Sequence, residues 1–247
     1  MDALFSQIET WNNNQKWGTV LDAGSGEHSL SWLLTLNTDS VTALTGDPQI
    51  KTLLEKQFKS KLREADSIVC GNWFNQSLFE GEAFDTVVVD YLIGSMDQFS
   101  PYFQSQIFHR IRKQTKTKLY LIAQEPMVFP KSGDQKLMKK LFDLRDACIL
   151  LAGHVQYREY PQTWCQQELT KAGFTVTRQR QFPIQANKSY IERQLSVCKS
   201  KLPFMSTMEL RTALSQEVER MTSLLFDRLK HKSFLTGLND YVIEAVL

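Results

Sequence analysis

The chain has 247 residues, with 29 Lys+Arg against 27 Asp+Glu for a formal charge of +2, and is 42% hydrophobic and 23% charged. These values lie near the soluble globular average and argue against a disordered or fibrous chain. The near-neutral balance disfavours a nucleic-acid binder that works by bulk electrostatics, and the length suits one sizeable domain or two small ones.

Short apolar or β-branched runs alternate with helical stretches along most of the chain. Gly18 to Ala23 reads as a strand, broken by Gly24-Ser25-Gly26, and Glu27 to Leu36 has helix-like content. A second strand, Ser40 to Thr45, leads into Asp47-Pro48, an N-cap and first-turn proline that open a helix to about Arg63. Asp66 to Cys70 is a third strand. Phe84 to Asp90 is a fourth, and its Val87-Val88-Val89 run predicts a strand covered on both faces.

Ser100-Pro101 is expected to open a helix that ends in Arg110, Arg112, Lys113 and Lys116, and Lys118 to Gln124 is a fifth strand. Asp134 is the expected cap of a helix with Leu137, Leu141, Leu144, Cys148 and Leu151 along one side. Thr163 to Ala172 forms a short helix stopped by Gly173, and Thr175 to Phe182 is a sixth strand. Residues 184–236 read as a helical insertion whose main helix starts at the capping box Ser206-Thr207-Met208-Glu209. Asp240 to Leu247 closes the chain as a strand. The pattern predicts a single α/β domain over 1–247, doubly wound around a mostly parallel sheet. In residues 1–17, Phe5, Ile8, Trp11 and Trp17 either form a lid or pack on the sheet.

Cys70, Cys148, Cys165 and Cys198 are too scattered for a disulfide scaffold or a structural zinc site, and read as reduced thiols of a cytoplasmic protein. The first residues, MDALFSQIETW, lack the regions of a signal peptide, and no apolar run approaches the roughly 18 residues of a membrane span.

In a doubly wound sheet, ligands bind outside the carboxyl ends of the strands. Val20-Leu21-Asp22-Ala23-Gly24-Ser25-Gly26 sits there, between a strand and a helix, where glycines permit a tight turn and close approach to a ligand. Asp22 and Glu27 would repel a pyrophosphate, whereas Asp22 suits a cationic ammonium. The stretch resembles the first motif of class I S-adenosylmethionine-dependent methyltransferases, acidic-x-Gly-x-Gly. The likeness covers about residues 18–182 and returns at 238–247.

The resemblance implies a seven-stranded sheet whose last strand is antiparallel, with S-adenosylmethionine as cofactor and no metal. It assigns cofactor contacts to Asp22, Ala23, Gly24, Ser25, Gly26 and Asp90. Cys70-Gly71-Asn72-Trp73 is similar to the family's turn after the third strand, which puts Asn72 at the adenine amine and Trp73 on the ring. Asn72 stands where the family has Asp. The family's ribose-binding acid would fall at Thr45 or Gly46; the acid present is Asp47, which either binds ribose or only caps its helix.

Around the expected acceptor, Tyr91, Met96 and Tyr102 are candidates for substrate contact, as are Tyr157 and Arg158. An aromatic cluster here either holds a cationic amine or is core. Asp97, in the loop after the fourth strand, His154 and Tyr91 are the catalytic candidates; each has a structural alternative, His154 as a helix-end residue near the dipole.

The expected activity is methyl transfer to the N or O of a small molecule, with no nucleic-acid or membrane partner. No Asn-Pro-Pro-Tyr-like run follows the fourth strand, and no carboxylate cluster at the strand ends suits a divalent metal. The alternatives are a protein (lysine or N-terminal amine) methyltransferase, a nicotinamide-dependent oxidoreductase and a non-catalytic subunit.

Overall fold

Asp2 accepts the Leu4 amide at 2.8 Å and starts α1 (Ala3–Asn12), which ends where Asn13 turns left-handed. The structure, a computed structural model, describes residues 2–247. β1 (Thr19–Asp22), α2 (Glu27–Leu33), β2 (Ser40–Thr45), α3 (Pro48–Phe58) and β3 (Ser67–Cys70) follow as alternating units. Asp47 caps α3 through the Gln49 amide at 2.7 Å. The helix stops at Phe58, short of Arg63, because the Arg63 guanidinium is drawn to Asp66 (Nε–Oδ2 2.9 Å) and to the Thr38 carbonyl (2.7 Å).

β4 (Phe84–Asp90) carries the valine run, and it is buried on both sides as expected. Val87 and Val89 face α5 (Gln104–Gln114) and α7 (Gln162–Lys171), in a cluster with Ile107, Phe108 and Leu169. Val88 faces the other layer, with Leu30 of α2, Leu54 of α3 and Phe5 and Ile8 of α1. Trp17 joins that cluster and Trp11 packs at its margin, so these N-terminal aromatic and apolar side chains lie on the sheet.

The helix expected to open at Ser100-Pro101 starts at Gln104 as α5, and a further helix precedes it. Tyr91 takes the left-handed conformation (φ 48°, ψ 18°) and turns β4 directly into α4 (Leu92–Phe99), whose Leu92, Ile93 and Met96 are buried. The Ser100 amide returns to the Met96 carbonyl at 2.7 Å and ends α4.

β5 (Thr115–Gln124), β6 (Thr175–Asn187) and β7 (Phe234–Val246) complete a sheet of order β3-β2-β1-β4-β5-β7-β6. β1 pairs in parallel with β2 and β4, and β4 with β5. β7 runs antiparallel to β5, from Gln124↔Asp240 to Lys118↔Val246. Strand order reverses between β1 and β4, which is where a doubly wound sheet opens its ligand crevice. Among the described residues, no helix is long and apolar enough to cross a membrane.

The chain forms two compact units: residues up to 125 with 157–182 and 240–247, and residues 126–156 with 183–239. The second unit is thus larger than the expected insertion at 184–236. The reason lies in α6 (Gly133–Leu151), whose Leu141, Leu144 and Cys148 pack against Ile191 and Leu195 of α8 (Lys188–Lys201) and Met221 and Leu225 of α9 (Met208–Leu229).

Two caps differ from expectation. Thr207, not Ser206, caps α9. Ser132, not Asp134, caps α6 in a capping box with Gln135, because the Asp134 carboxylate binds Lys232 (2.7 Å) and Arg228 (3.0 Å). Burial would raise the pKa of Asp134, but the hydrogen bonds from Lys232 and Arg228 outweigh it and hold the carboxyl below its usual range. Its contribution is therefore present above about pH 4 and lost as pH falls through the depressed value. Asp134→Asn should cost about 1–2 kcal/mol at pH 7, both cations being partly exposed, and nothing at pH 2. Chemical denaturation at the two pH values checks this; an equal loss at both would refute it.

Candidate cofactor site at the carboxyl edge of the sheet

The β1–α2 turn is held by its own backbone. Ala23 N–H donates to Val88 O at 2.8 Å and Ser25 N–H to Leu44 O at 2.6 Å, so the turn is tied to β4 and β2 together. A side chain at Gly24 would meet Leu92, with Cδ1 at 2.9 Å and Cβ at 3.1 Å, so α4 can lie this close only over glycine. Beneath the turn Asp22 is fully buried. Its Oδ2 accepts the Ser25 and Ser29 hydroxyls at 2.6 and 2.7 Å, while Oδ1 is buried without a hydrogen-bond partner. Burial pushes this carboxyl up to about 6, against the pull of the two hydroxyls and the Gly24 amide.

Above the turn lies a cavity of about 420 Å³, within the roughly 300–1,000 Å³ of small-molecule sites. Its walls come from the ends of β1 to β4, from α4, and from Tyr157. Every nominated cofactor residue except Asp22 lines it: the Ala23–Gly26 turn, Asp47, Asn72, Trp73 and Asp90. Asp22 lies beneath and reaches the turn through Ser25 and Ser29.

Trp73 is only 3% exposed and donates its indole N–H to the Ala23 carbonyl at 2.7 Å, so it props the turn as well as lining the cavity. The Asn72 side chain already serves the protein. Its amide donates to Phe99 O at 2.7 Å, and its oxygen accepts the Phe74 amide at 2.9 Å and the Ser100 hydroxyl. Asp47 spends one oxygen on its helix cap and still lines the cavity.

Gly46 occupies the place where a ribose-binding acid was sought. A Cβ there would fall 2.7 Å from the Phe99 ring, itself part of the cavity wall. Gly46→Ala is therefore expected to shift that ring and weaken S-adenosylmethionine binding at least about fivefold without unfolding the protein, the order of about 1 kcal/mol for imperfect repacking. Calorimetric titration giving the wild-type affinity would sink this.

Asp90 ends β4 and Tyr91 begins the turn after it. Burial pushes Asp90 up to about 8, reinforced by the charges of Asp22, Asp2 and Asp240. Asp240, at the register position opposite Gln124, is pushed up to about 6 by burial, opposed by a hydrogen bond from the Tyr91 phenol. The phenol itself is raised by burial and then by the acids Asp240, Asp90 and Asp2, so it stays neutral.

Of the acceptor-side candidates, Tyr91, Met96 and Tyr157 line the cavity, and Tyr102 and Arg158 do not. Tyr102 is 90% exposed. Arg158 donates its amide to the Gly94 carbonyl at 2.9 Å and pairs with Asp97 at 3.5 Å. Asp97 lies within α4 rather than in a loop, and also accepts the Gln104 amide. His154 belongs to the second unit, where it is exposed with its ring against Phe204 at 5.2 Å. Among the described residues, no group of three or more His, Cys, Asp or Glu could hold a metal ion.

Sequence reasoning missed Asp2 and Asp240. The available signal for Asp240 was an acid in an antiparallel last strand, at the position that pairs with the end of β5.

No family model matches the chain, and no curated protein matches its sequence. Solved structures do match in fold. One is the YcgJ protein of Bacillus subtilis, at TM-score 0.61 and 15% identity over 98% of this chain and 97% of that one. A mycolic acid cyclopropane synthase complexed with S-adenosylhomocysteine gives 0.58 and 14% over 100% and 86%. Coclaurine N-methyltransferase, bound to N-methylheliamine and S-adenosylhomocysteine, gives 0.58 and 12% over 99% and 72%. The chain has the Rossmann-like fold of class I S-adenosylmethionine-dependent methyltransferases.

Proposed function

We propose that the chain is an S-adenosylmethionine-dependent methyltransferase acting on the N or O of a small-molecule acceptor. The observation that carries this reading is the Asp22 carboxylate, buried with Oδ1 unpartnered beneath a Gly-Ser-Gly turn that roofs it and lines a cavity. A buried carboxylate with one oxygen left unsatisfied is costly, and a cation nearby lowers that cost. A nucleotide pyrophosphate would aggravate that cost and an amino-acid ammonium would relieve it, which disfavours the nicotinamide reading.

In this reading Ala23 to Gly26 hold the amino-acid half of the cofactor. Asp47 takes the ribose, and Asn72 and Trp73 flank the base. A contact from Asn72 to the base would replace one of the hydrogen bonds its side chain now makes. When bound, the cofactor supplies a methyl group on a sulfonium for in-line displacement. The protein contributes alignment, the larger part of such catalysis, with Tyr91, Met96 and Tyr157 lining the side from which an acceptor enters. A base is required only for an acceptor that arrives protonated. Of the three nominated candidates Tyr91 lines the cavity, His154 belongs to the second unit, and Asp97 is engaged by Arg158 and Gln104.

Thermal-shift titration with S-adenosylmethionine and with NADH is the first test, followed by a labelled-methyl screen against cell extract. Stabilisation by S-adenosylmethionine and label in a small molecule support the proposal; stabilisation by NADH alone refutes it, and label confined to protein overturns the substrate class.

A further inference from the structure

β6 is the outer strand of the sheet, and alternate residues along it share a face, so Val176, Arg178 and Arg180 stand together. The Arg178 guanidinium donates to the Trp11 carbonyl at 2.9 Å, and the Arg180 guanidinium donates to the Gln7 side-chain oxygen. The spacing explains the match. Two residues along a strand rise about 6.7 Å and four along a helix about 6 Å, so α1 offers acceptors at the interval of alternate β6 residues. A second cavity, of about 470 Å³, is walled by Gln7 and Trp11 of α1 and by residues 176–180 of β6. It shares no residue with the cofactor cavity.

Cationic donors are left unspent here. Arg178 also meets Glu244 of β7 at 3.6 Å, and that carboxylate accepts the Thr177 hydroxyl as well. Arg180 has no carboxylate partner among the described residues; besides Gln7 it meets the Phe182 ring, at 5.1 Å. The acid within α1, Glu9, is taken by the Trp32 indole N–H at 2.9 Å. Lys118 of β5 gives its ammonium to the neutral side-chain oxygens of Asn12 and Gln15, each at 2.9 Å. Burial lowers the pKa of that ammonium, Glu244 opposes the shift and Arg178 adds to it. One carboxylate is thus set against Arg178 and Lys118, and none against Arg180. Gln7, only 9% exposed, keeps a side-chain amide N–H2 with no acceptor among the described residues.

We infer that the cavity between α1 and β6 binds a small phosphate monoester whose organic part is apolar or aromatic. A guanidinium presents a rigid fork of N–H donors that matches a phosphate, and two forks on alternate strand residues suit a group of charge about −1.5 to −2. Arg178 and Arg180 take the phosphate oxygens, and the Gln7 amide adds a neutral donor. Trp11 and Val176 cover the organic part. A simple pin between α1 and β6 would need one bond from each arginine and no cavity, whereas Arg180 keeps most of its N–H donors without a protein acceptor. The site stands independently of the methyltransferase reading.

The test is calorimetric titration of the full chain with phenyl phosphate, inorganic phosphate and phenol, at pH 7.5 and matched ionic strength. Phenyl phosphate is expected to bind at least about tenfold tighter than the other two, each of which offers only half of the recognised group. Arg180→Gln should weaken phenyl phosphate binding at least about tenfold, as loss of a charge-assisted contact requires. Arg180→Lys keeps the charge without the fork and should fall between the two. Trp11→Leu should erase most of the advantage of phenyl phosphate over inorganic phosphate while leaving inorganic phosphate binding unchanged. Circular dichroism checks the fold of each variant, and Arg180→Lys carries the test if Arg180→Gln does not fold.

A phosphate monoester also occurs as a lipid headgroup, so flotation with phosphatidylcholine vesicles, with and without phosphatidic acid, separates the two sources. Capture by phosphatidic acid vesicles without binding of phenyl phosphate overturns the soluble ligand in favour of a lipid surface. Failure of phenyl phosphate and vesicles alike overturns the site, as does phenyl phosphate affinity indifferent to both Arg180 variants.

Discussion

At pH 8 the ligand-free Asp90→Asn variant should melt above the wild type, and the difference should vanish near pH 4. In the folded chain Asp90 is half-buried at the cavity wall, and its loss of water, reinforced by the charges of Asp22, Asp2 and Asp240, raises its carboxyl from the ordinary 3.8 to about 8. A raised carboxylate is protonated in the native state while the unfolded chain has already ionised. Its stability is therefore complete below about pH 4 and is lost progressively as pH rises to about 8. Asn keeps the shape of the protonated acid and cannot ionise, so the variant escapes that loss. The expected gain at pH 8 is of the order of 2 kcal/mol, or roughly 4–8 °C in Tm for a chain of this size. Differential scanning at the two pH values reads it directly. A gain of the same size at both would mean that the substitution acts through packing and not through charge.

Asp22→Ala should have the larger effect on binding. The substitution removes the acceptor of the Ser25 and Ser29 hydroxyls, which hold the β1–α2 turn in place. It also removes the nearest negative charge beneath that turn. Loosening of that turn, together with loss of the charge beneath it, predicts at least a tenfold weaker affinity for S-adenosylmethionine, about 1.4 kcal/mol. The stranded hydroxyls add a stability cost of about 1–3 kcal/mol. Asp22→Asn separates the two effects, because its side-chain oxygen can keep the serine contacts without the charge. Unchanged affinity in both variants would remove Asp22 from the cofactor's surroundings.

What the sequence disclosed were features with local causes. The valine run of β4 announced a strand covered on both faces, and Val87 and Val88 indeed lie in different layers. The Gly-Ser-Gly break after Asp22 marked the turn that now edges the cavity. Features decided by distant partners were hidden. Nothing around Tyr91 announces a left-handed residue, since that conformation is disfavoured outside glycine and persists only where the surroundings enforce it. Without it α4 could not be foreseen, and Asp97 was placed in a loop. The apolar stripe of α6 signalled a buried side, yet a stripe names no partner, and α8 and α9 took it in place of the sheet. Asp134 had the chemistry of a cap, but Arg228 and Lys232, some hundred residues away, claimed its carboxylate.

The topology also orders events during synthesis. β7 is the last strand of the sheet to emerge and the one wedged between β5 and β6. Until it arrives, both of those neighbours present bare edges, the kind of surface that recruits other chains. A stalled ribosome product, or a truncation removing residues 234–247, would expose two such edges and also lack Asp240. Aggregation and an incomplete charge pattern beside the crevice should then appear together in one fragment.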